Sequence, residues 1–231
     1  MEKLKIYLCG HDNLVRRYPN YPHFQYVNLD KLDIGKYQLN QLSESRIFLS
    51  DLDLSCEYIG FLSLNYNIKF TSPNLPATKK EGQPVLPMFK HLHKIELKKD
   101  ILHCCVISQP VCKEWFKDYF PGILPYLNDI ENFSKLSLNS FPSILSNSFV
   151  CHVEVFKEFL SVWRPIFDYA WENYNLNDLA DRIKGHADRR RAAGYLFEAI
   201  SVLAWTETIK RKNLSVKFFD VPKKKFKRIL I

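Results

Sequence analysis

Several residue clusters in this chain have the types and spacing to handle a phosphorylated substrate. Asp51-Leu52-Asp53 sets two carboxylates two residues apart, and hard oxygen ligands so placed can share a magnesium or manganese ion across a diphosphate. The same string also fits a helix end followed by a capped turn, because Asp favours such places. Spacing alone leaves both readings open. Asn65-Tyr66-Asn67 lies just after the strand-like run 58–63, the position where α/β folds hold phosphates. Amide oxygens bind cations more weakly than carboxylates, so Asn65 and Asn67, with nearby Lys69, allow metal-independent binding as well. His11, Asp12 and Asn13 come directly after the first strand and can hold a base or ribose, or form an Asx-type turn. His152 and Glu154 can flank an acceptor, although a histidine on an apolar segment is as readily structural.

Glu198 is the oddest carboxylate. Between Ala192 and Trp205 it is the only charged side chain, in a run whose apolar positions recur at three- and four-residue spacing. Burying such a charge costs several kcal/mol, roughly, unless it is paired or hydrogen-bonded. Arg191 stands seven residues earlier on the same helical face, with Gly194 between them. The pair reads either as an ion pair bracing a core or as a polar strip facing a cleft. Asp181 and Asp188 are weaker candidates for a carboxylate with a chemical role.

These residues need elements to hold them. Residues 3–9 read as a buried strand opening into a polar turn, and residues 57–70 and 98–107 as further strands. Helices are expected over 37–50, 114–119, 124–133, 155–174 and 189–208, with 148–154 as a short strand or strand-to-helix junction. Residues 71–87 carry four prolines and read as a surface loop able to act as a lid. The result is an α/β chain with a central, mainly parallel sheet flanked by helices. One domain is expected over 1–216, with a basic tail over 217–231.

Composition narrows the function classes. A hydrophobic fraction of 46% and an aromatic fraction of 14% over 231 residues exclude a disordered chain, and 7 glycines argue against a loop-rich repeat. The net charge of +8 favours anionic partners, with basic clusters at residues 189–191 and 223–228. In the tail, apolar residues alternate with the lysines, as in segments that rest on an anionic bilayer. No nucleic-acid-binding module accompanies the charge, and nucleic acid is not expected as a partner. Six cysteines without C-x-x-C spacing read as reduced core residues of a cytoplasmic protein. No run approaches the roughly 20 apolar residues of a membrane span. The common phosphate-loop, dinucleotide, hydrolase-elbow and zinc-protease motifs are absent from the sequence.

Read in order, short segments resemble a family. Residues 5–11 (KIYLCGH), Leu42-Ser43-Glu44, Tyr58-Ile59-Gly60, residues 147–156 (NSFVCHVEVF) and Arg191, Gly194, Tyr195, Leu196 and Glu198 are similar to the successive motifs of the small bacterial glycosyltransferase-type domains of capsular and O-antigen polysaccharide loci, the HYRRY-type domains. The chain departs from that pattern after Tyr58-Ile59-Gly60, where Ser63-Leu64-Asn65-Tyr66-Asn67 stands in place of His-Tyr-Arg-Arg-Tyr. The resemblance implies a GT-A-like nucleotide-diphospho-sugar transferase fold, a nucleotide-sugar donor and a saccharide or lipid-linked acceptor. Together with the residue readings above, the expectation is that His11, Asp12, Asn13, Glu44, Asn65 and Asn67 serve the donor, Asn147 and His152 the acceptor, and Glu198 and Arg191 catalysis. A bound manganese or magnesium ion would fall to Asp51 and Asp53. A non-catalytic binding protein on the same fold is the competing expectation.

Overall fold

The computed structural model describes residues 2–10, 24–37, 40–63, 96–104, 116–117, 121–138, 148–176, 179 and 192–218. Six strands form one sheet: β1 (Glu2–Gly10), β2 (Phe24–Asn28), β3 (Cys56–Ser63), β4 (Ile101–Cys104), β5 (Phe149–His152) and β6 (Ser215–Phe218), in the order β2-β1-β3-β5-β4-β6. β1 is parallel to β2 and β3, β4 is parallel to β6, and β5 is antiparallel to both neighbours. Five strands therefore run one way and β5 the other. This is the mixed α/β architecture with a mainly parallel sheet that the sequence implies.

The central strands carry apolar residues on both faces, as strands covered on both sides must. On one face Tyr7, Ile59, Phe61, Phe149 and Cys151 join the main core, while Ile6, Leu8, Leu62 and Val150 on the other are equally buried. Gly60 makes this closeness possible in mid-sheet: a Cβ there would stand 2.8 Å from Val150 Cγ2 and 3.3 Å from Ile6 Cγ1. The thiols of Cys9, Cys56, Cys104 and Cys151 are buried, and burial pushes that of Cys104 up to about 12, as befits inert core residues.

Three α-helices accompany the sheet: α1 (Leu124–Ser134), α2 (Val153–Asn173) and α3 (Ala192–Lys212). α2 buries Val155, Phe156, Phe159, Val162, Trp163, Ile166, Phe167 and Ala170, the three-and-four spacing of one helical face. α3 is covered nearly all round between Ala193 and Trp205, because it packs against both α2 and the 3-10 helix Asn40–Leu49. The helices α2 and α3 run antiparallel: Phe159 stacks on Trp205 at 4.4 Å, Trp163 Nε1 donates to Ser201 Oγ at 3.2 Å, and Phe167 meets Phe197 at 4.7 Å.

Some elements differ from expectation. The strand expected over 57–70 runs over Cys56–Ser63, and that over 98–107 is confined to Ile101–Cys104. β2 is an additional edge strand. The helix of 37–50 is a 3-10 helix over Asn40–Leu49. β5 passes straight into α2 at His152, and β6 runs through Lys217 and Phe218, across the boundary expected at 216. The expected lid of 71–87 lies outside the described residues.

Candidate functional site

The five co-directional strands define two edges. At the carboxyl edge β1, β2, β3, β4 and β6 end and β5 begins; at the amino edge the reverse holds. Gly10 pairs with Asn28 and Cys9 with Ser63, so β1, β2 and β3 end side by side. The chain goes from β1 outward to β2, then returns past β1 to β3 and continues to the other side of the sheet. β1 and β3 thus flank a topological switch point, where connections leave in opposite directions and open α/β sheets form their ligand crevice.

The sequence-predicted residues sort by edge. His11, Asp12 and Asn13 follow Gly10 in the chain, Asn65 and Asn67 follow Ser63 closely, and Asn147 precedes Ser148 and the start of β5. All six lie outside the described residues, as does Arg191, but the strand ends next to them share the carboxyl edge. Glu44 belongs to the Asn40–Leu49 helix. That helix follows β2 and returns the chain to the amino edge, where β3 starts.

Glu198 is half-buried on α3. α3 meets the amino edge at its C-terminal end, where Leu214 N donates to Ile209 O and Ser215 N to Asp100 O at 2.8 Å as β6 begins. Its N-terminal half therefore extends the opposite way. Phe197, next to Glu198, is level with Phe167, whose ring lies 5.3 Å from Tyr37, beyond the carboxyl end of β2. Tyr37 is itself fixed there: its hydroxyl donates to Asp168 Oδ1 at 2.7 Å and accepts from Arg164 Nη2 at 2.8 Å. Glu198 accordingly lies toward the carboxyl side.

Asp53 and His152 do not. Asp53 precedes β3 and is tied to the first half of β1, where its carboxylate pairs with Lys5 and its carbonyl accepts from Tyr7 OH at 3.1 Å. Its Oδ1 also accepts from Ser55 N at 2.9 Å, closing an Asx turn. The Lys5 hydrogen bond holds the carboxyl well below the usual carboxylate range. A carboxylate committed in this way does not fit a divalent-cation ligand, and Asp51 beside it is exposed on the same side. The Asp-x-Asp string thus forms a capped turn just before β3. Among the described residues no group of three or more His, Cys, Asp or Glu side chains gathers in a metal-like cluster.

His152 ends β5 at the amino edge, paired with Tyr58, and its ring meets that of Tyr58 edge-on at 5.3 Å. Its Nδ1 accepts from Glu154 N at 3.2 Å, which makes it the N-cap of α2. Burial lowers its pKa, and so does nearby Lys99. His152 thus stands at the amino edge as a helix cap, and Asn147 lies outside the described residues.

Sequence reasoning passed over Arg46. It lies in the Asn40–Leu49 helix at 2% exposure, and its Nε and Nη1 are buried with no hydrogen-bond acceptor among the described residues.

No protein-family model matches the chain, and no curated protein matches it in sequence. Among solved structures it is similar to the apo structure of WbbM, a bifunctional glycosyltransferase. That likeness has a TM-score of 0.44 and 12% identity, and covers 94% of this chain and 45% of that one. The chain spans less than half the length of WbbM. So slight a likeness carries no weight for fold or activity.

Proposed function

We propose that this chain is a glycosyltransferase that moves a sugar from a nucleotide-sugar donor to a saccharide or lipid-linked saccharide in surface polysaccharide synthesis. The observation that carries the reading is the switch point: β1 and β3 end side by side at Cys9 and Ser63, and polar segments follow each in the chain. Nucleotides occupy such crevices because strand ends and the loops after them converge there. In this reading His11, Asp12, Asn13 and Glu44 seat the nucleotide, Asn65 and Asn67 face the diphosphate, and Asn147 faces the acceptor. Arg191 and Glu198 face the reacting sugars.

Transfer breaks the bond between the anomeric carbon and the phosphate oxygen and forms one to an acceptor oxygen. The leaving diphosphate gains negative charge, which a fixed cationic group stabilises, and the acceptor hydroxyl gives its proton to a carboxylate base. Glu198 is assigned that base. The step uses the chain's own side chains, Asp53 being paired with Lys5. The basic residues beyond β6 would hold the protein at the cytoplasmic face of a membrane bearing a lipid-linked acceptor. No helix among the described residues is itself long and apolar enough to cross it.

Calorimetric titration with a panel of nucleotide-sugars, with and without manganese, followed by a transfer assay, tests the reading. Glu198→Gln is expected to lower transfer by about 100-fold or more, the usual worth of a general base, while donor affinity stays within a few-fold. A chain that takes up no donor at millimolar concentration is not a glycosyltransferase. A chain that binds donor without transfer or donor hydrolysis is a non-catalytic relative of the fold.

A further inference from the structure

Arg46 is enclosed as deeply as the core aromatics, on a helix covered by α3. A guanidinium remains charged in proteins and carries five N–H donors. A buried cation without a partner is strongly destabilising, and an apolar side chain of similar volume would fill the space without that cost. The other described arginines are satisfied at more exposed positions: Arg164 forks onto Asp168 at 3.2 and 3.0 Å, and Arg211 reaches Glu207 at 2.8 Å and Glu158 at 3.2 Å. Arg46 differs. Each of the two-nitrogen forks with which a guanidinium grips a carboxylate or phosphate includes either Nε or Nη1, the two atoms left unfilled.

Its surroundings locate it. Asp30 acts on Arg46 electrostatically without occupying either nitrogen. Asp30 stands two residues past Asn28, which pairs with Gly10 at the end of β1. The Asn40–Leu49 helix runs from the carboxyl to the amino edge, and Phe48, two residues after Arg46, packs its ring 5.4 Å from Phe61 in the second half of β3, so Arg46 stands on the carboxyl side of that level.

We propose that Arg46 is an anion-binding residue of this site and grips phosphate oxygens of a nucleoside diphosphate. The nucleotide-sugar reading supplies the identity of the anion; the buried, unfilled donors supply the site.

Titration of the full chain with UDP, GDP and inorganic pyrophosphate, for the wild type, Arg46→Lys and Arg46→Met, beside thermal melts without ligand, tests this. Arg46→Met keeps much of the stem volume and is expected to bind the nucleoside diphosphate about 100-fold or more weakly. Arg46→Lys keeps the charge without the fork and should bind about 10-fold more weakly. Without ligand, Arg46→Met should melt no lower than wild type, because the group removed is a buried charge whose Nε and Nη1 make no hydrogen bond. Affinity of Arg46→Met within a few-fold of wild type overturns the proposal. So does a ligand-free Arg46→Met that unfolds while Arg46→Lys binds like wild type, the behaviour of an arginine that only supports the core. Pyrophosphate binding that depends on Arg46, with no uptake of nucleotide-sugar, keeps the site and removes the glycosyl-transfer reading. Nucleotide-sugar binding indifferent to Arg46 does the opposite.

Discussion

The two edges of the sheet satisfy their polar groups differently. At the amino edge they are answered within the fold. Asp53 takes up Lys5, the Ser55 amide and the Tyr7 hydroxyl; His152 caps α2; Tyr58 OH donates to Leu97 O at 3.3 Å; and His103 Nε2 lies 3.0 Å from Glu96 O. At the carboxyl edge, polar sequence follows β1 and β3, and Arg46 keeps buried donors unfilled. Folds obey local satisfaction rules except where function needs a group held ready. On the proposed reading, the contrast separates an edge closed within the fold from one where Arg46 holds donors for a ligand, beside a Tyr37–Asp168–Arg164 network that is itself satisfied. Changes at the amino edge should move stability and leave donor binding alone, whereas changes to Arg46 or Glu198 should move binding or transfer and leave stability nearly alone.

The strongest test of this division sits between the edges. Gly60 lies on β3 between β1 and β5, paired with Ile6 on one side and Val150 on the other. A methyl group 2.8 Å from Val150 Cγ2 has little freedom to escape, because a valine side chain is stiff about its first torsion. Gly60→Ala is expected to cost about 1–3 kcal/mol, at about 2–4 °C of melting temperature per kcal/mol in a chain of this length. It should also weaken donor binding, since β1 and β3 must stay in register for Cys9 and Ser63 to end together. A Gly60→Ala protein of wild-type stability would mean the sheet adapts, and the edges are less rigidly related than the register implies.

How much of this was legible follows from where the signals lie. The helices α2 and α3 and the β5-to-α2 junction write apolar periodicity over many residues, and β1 carries the apolar run Ile6–Cys9, so all four stand out in the sequence. β2 does not: in Phe24–Asn28 only Val27 is buried, and an edge strand with one buried residue has little pattern. Asp51-Leu52-Asp53 misled because a two-residue spacing has no direction. The distinguishing cue was its place before a strand rather than after one, with Ser55 two residues on to close the turn. For His152 the cue was Glu154, whose amide it caps in the first turn of a long helix. Arg46 carries no such cue. In the string QLSESRIFLS an arginine reads as surface, and its burial comes from α3, which lies about 150 residues away in sequence and is a purely tertiary neighbour.

Acidification probes the amino edge next. His152 needs an unprotonated Nδ1 to accept from Glu154 N, and burial lowers the pKa of both His152 and His103 below the ordinary 6.5. As pH falls below 6.5 the unfolded chain takes up these protons first. The histidines' contribution is thus complete above 6.5 and is lost as pH drops through their lowered folded values. Urea midpoints measured between about pH 7.5 and pH 5 should fall on the acid side. His152→Asn, whose amide oxygen accepts the same bond without titrating, should keep the neutral-pH midpoint within about 0.5 kcal/mol and flatten the acid decline. An undiminished decline would place the titration elsewhere. A parallel loss of donor affinity in this variant would mean that the amino edge serves the ligand.

The smallest effect is expected at Asp53, and it bears on the metal question. Its side chain is 54% exposed and that of Lys5 16%, so the pair is open to solvent and salt on one side. In Asp53→Asn the amide oxygen can still accept from Ser55 N, and the carbonyl that receives Tyr7 OH is untouched. Only the ion pair with Lys5 is lost, and exposed pairs of this kind contribute little. The melting temperature should therefore hold to within about 1–2 °C, which is what a loss of well under 1 kcal/mol produces in a chain of this size. Donor affinity, with and without manganese, should not change. If Asp53→Asn instead removed a manganese-dependent part of donor binding, Asp53 would have to leave Lys5 and reach the ligand. The division between a stability edge and a ligand edge would then fail at the residue where the geometry draws it most sharply.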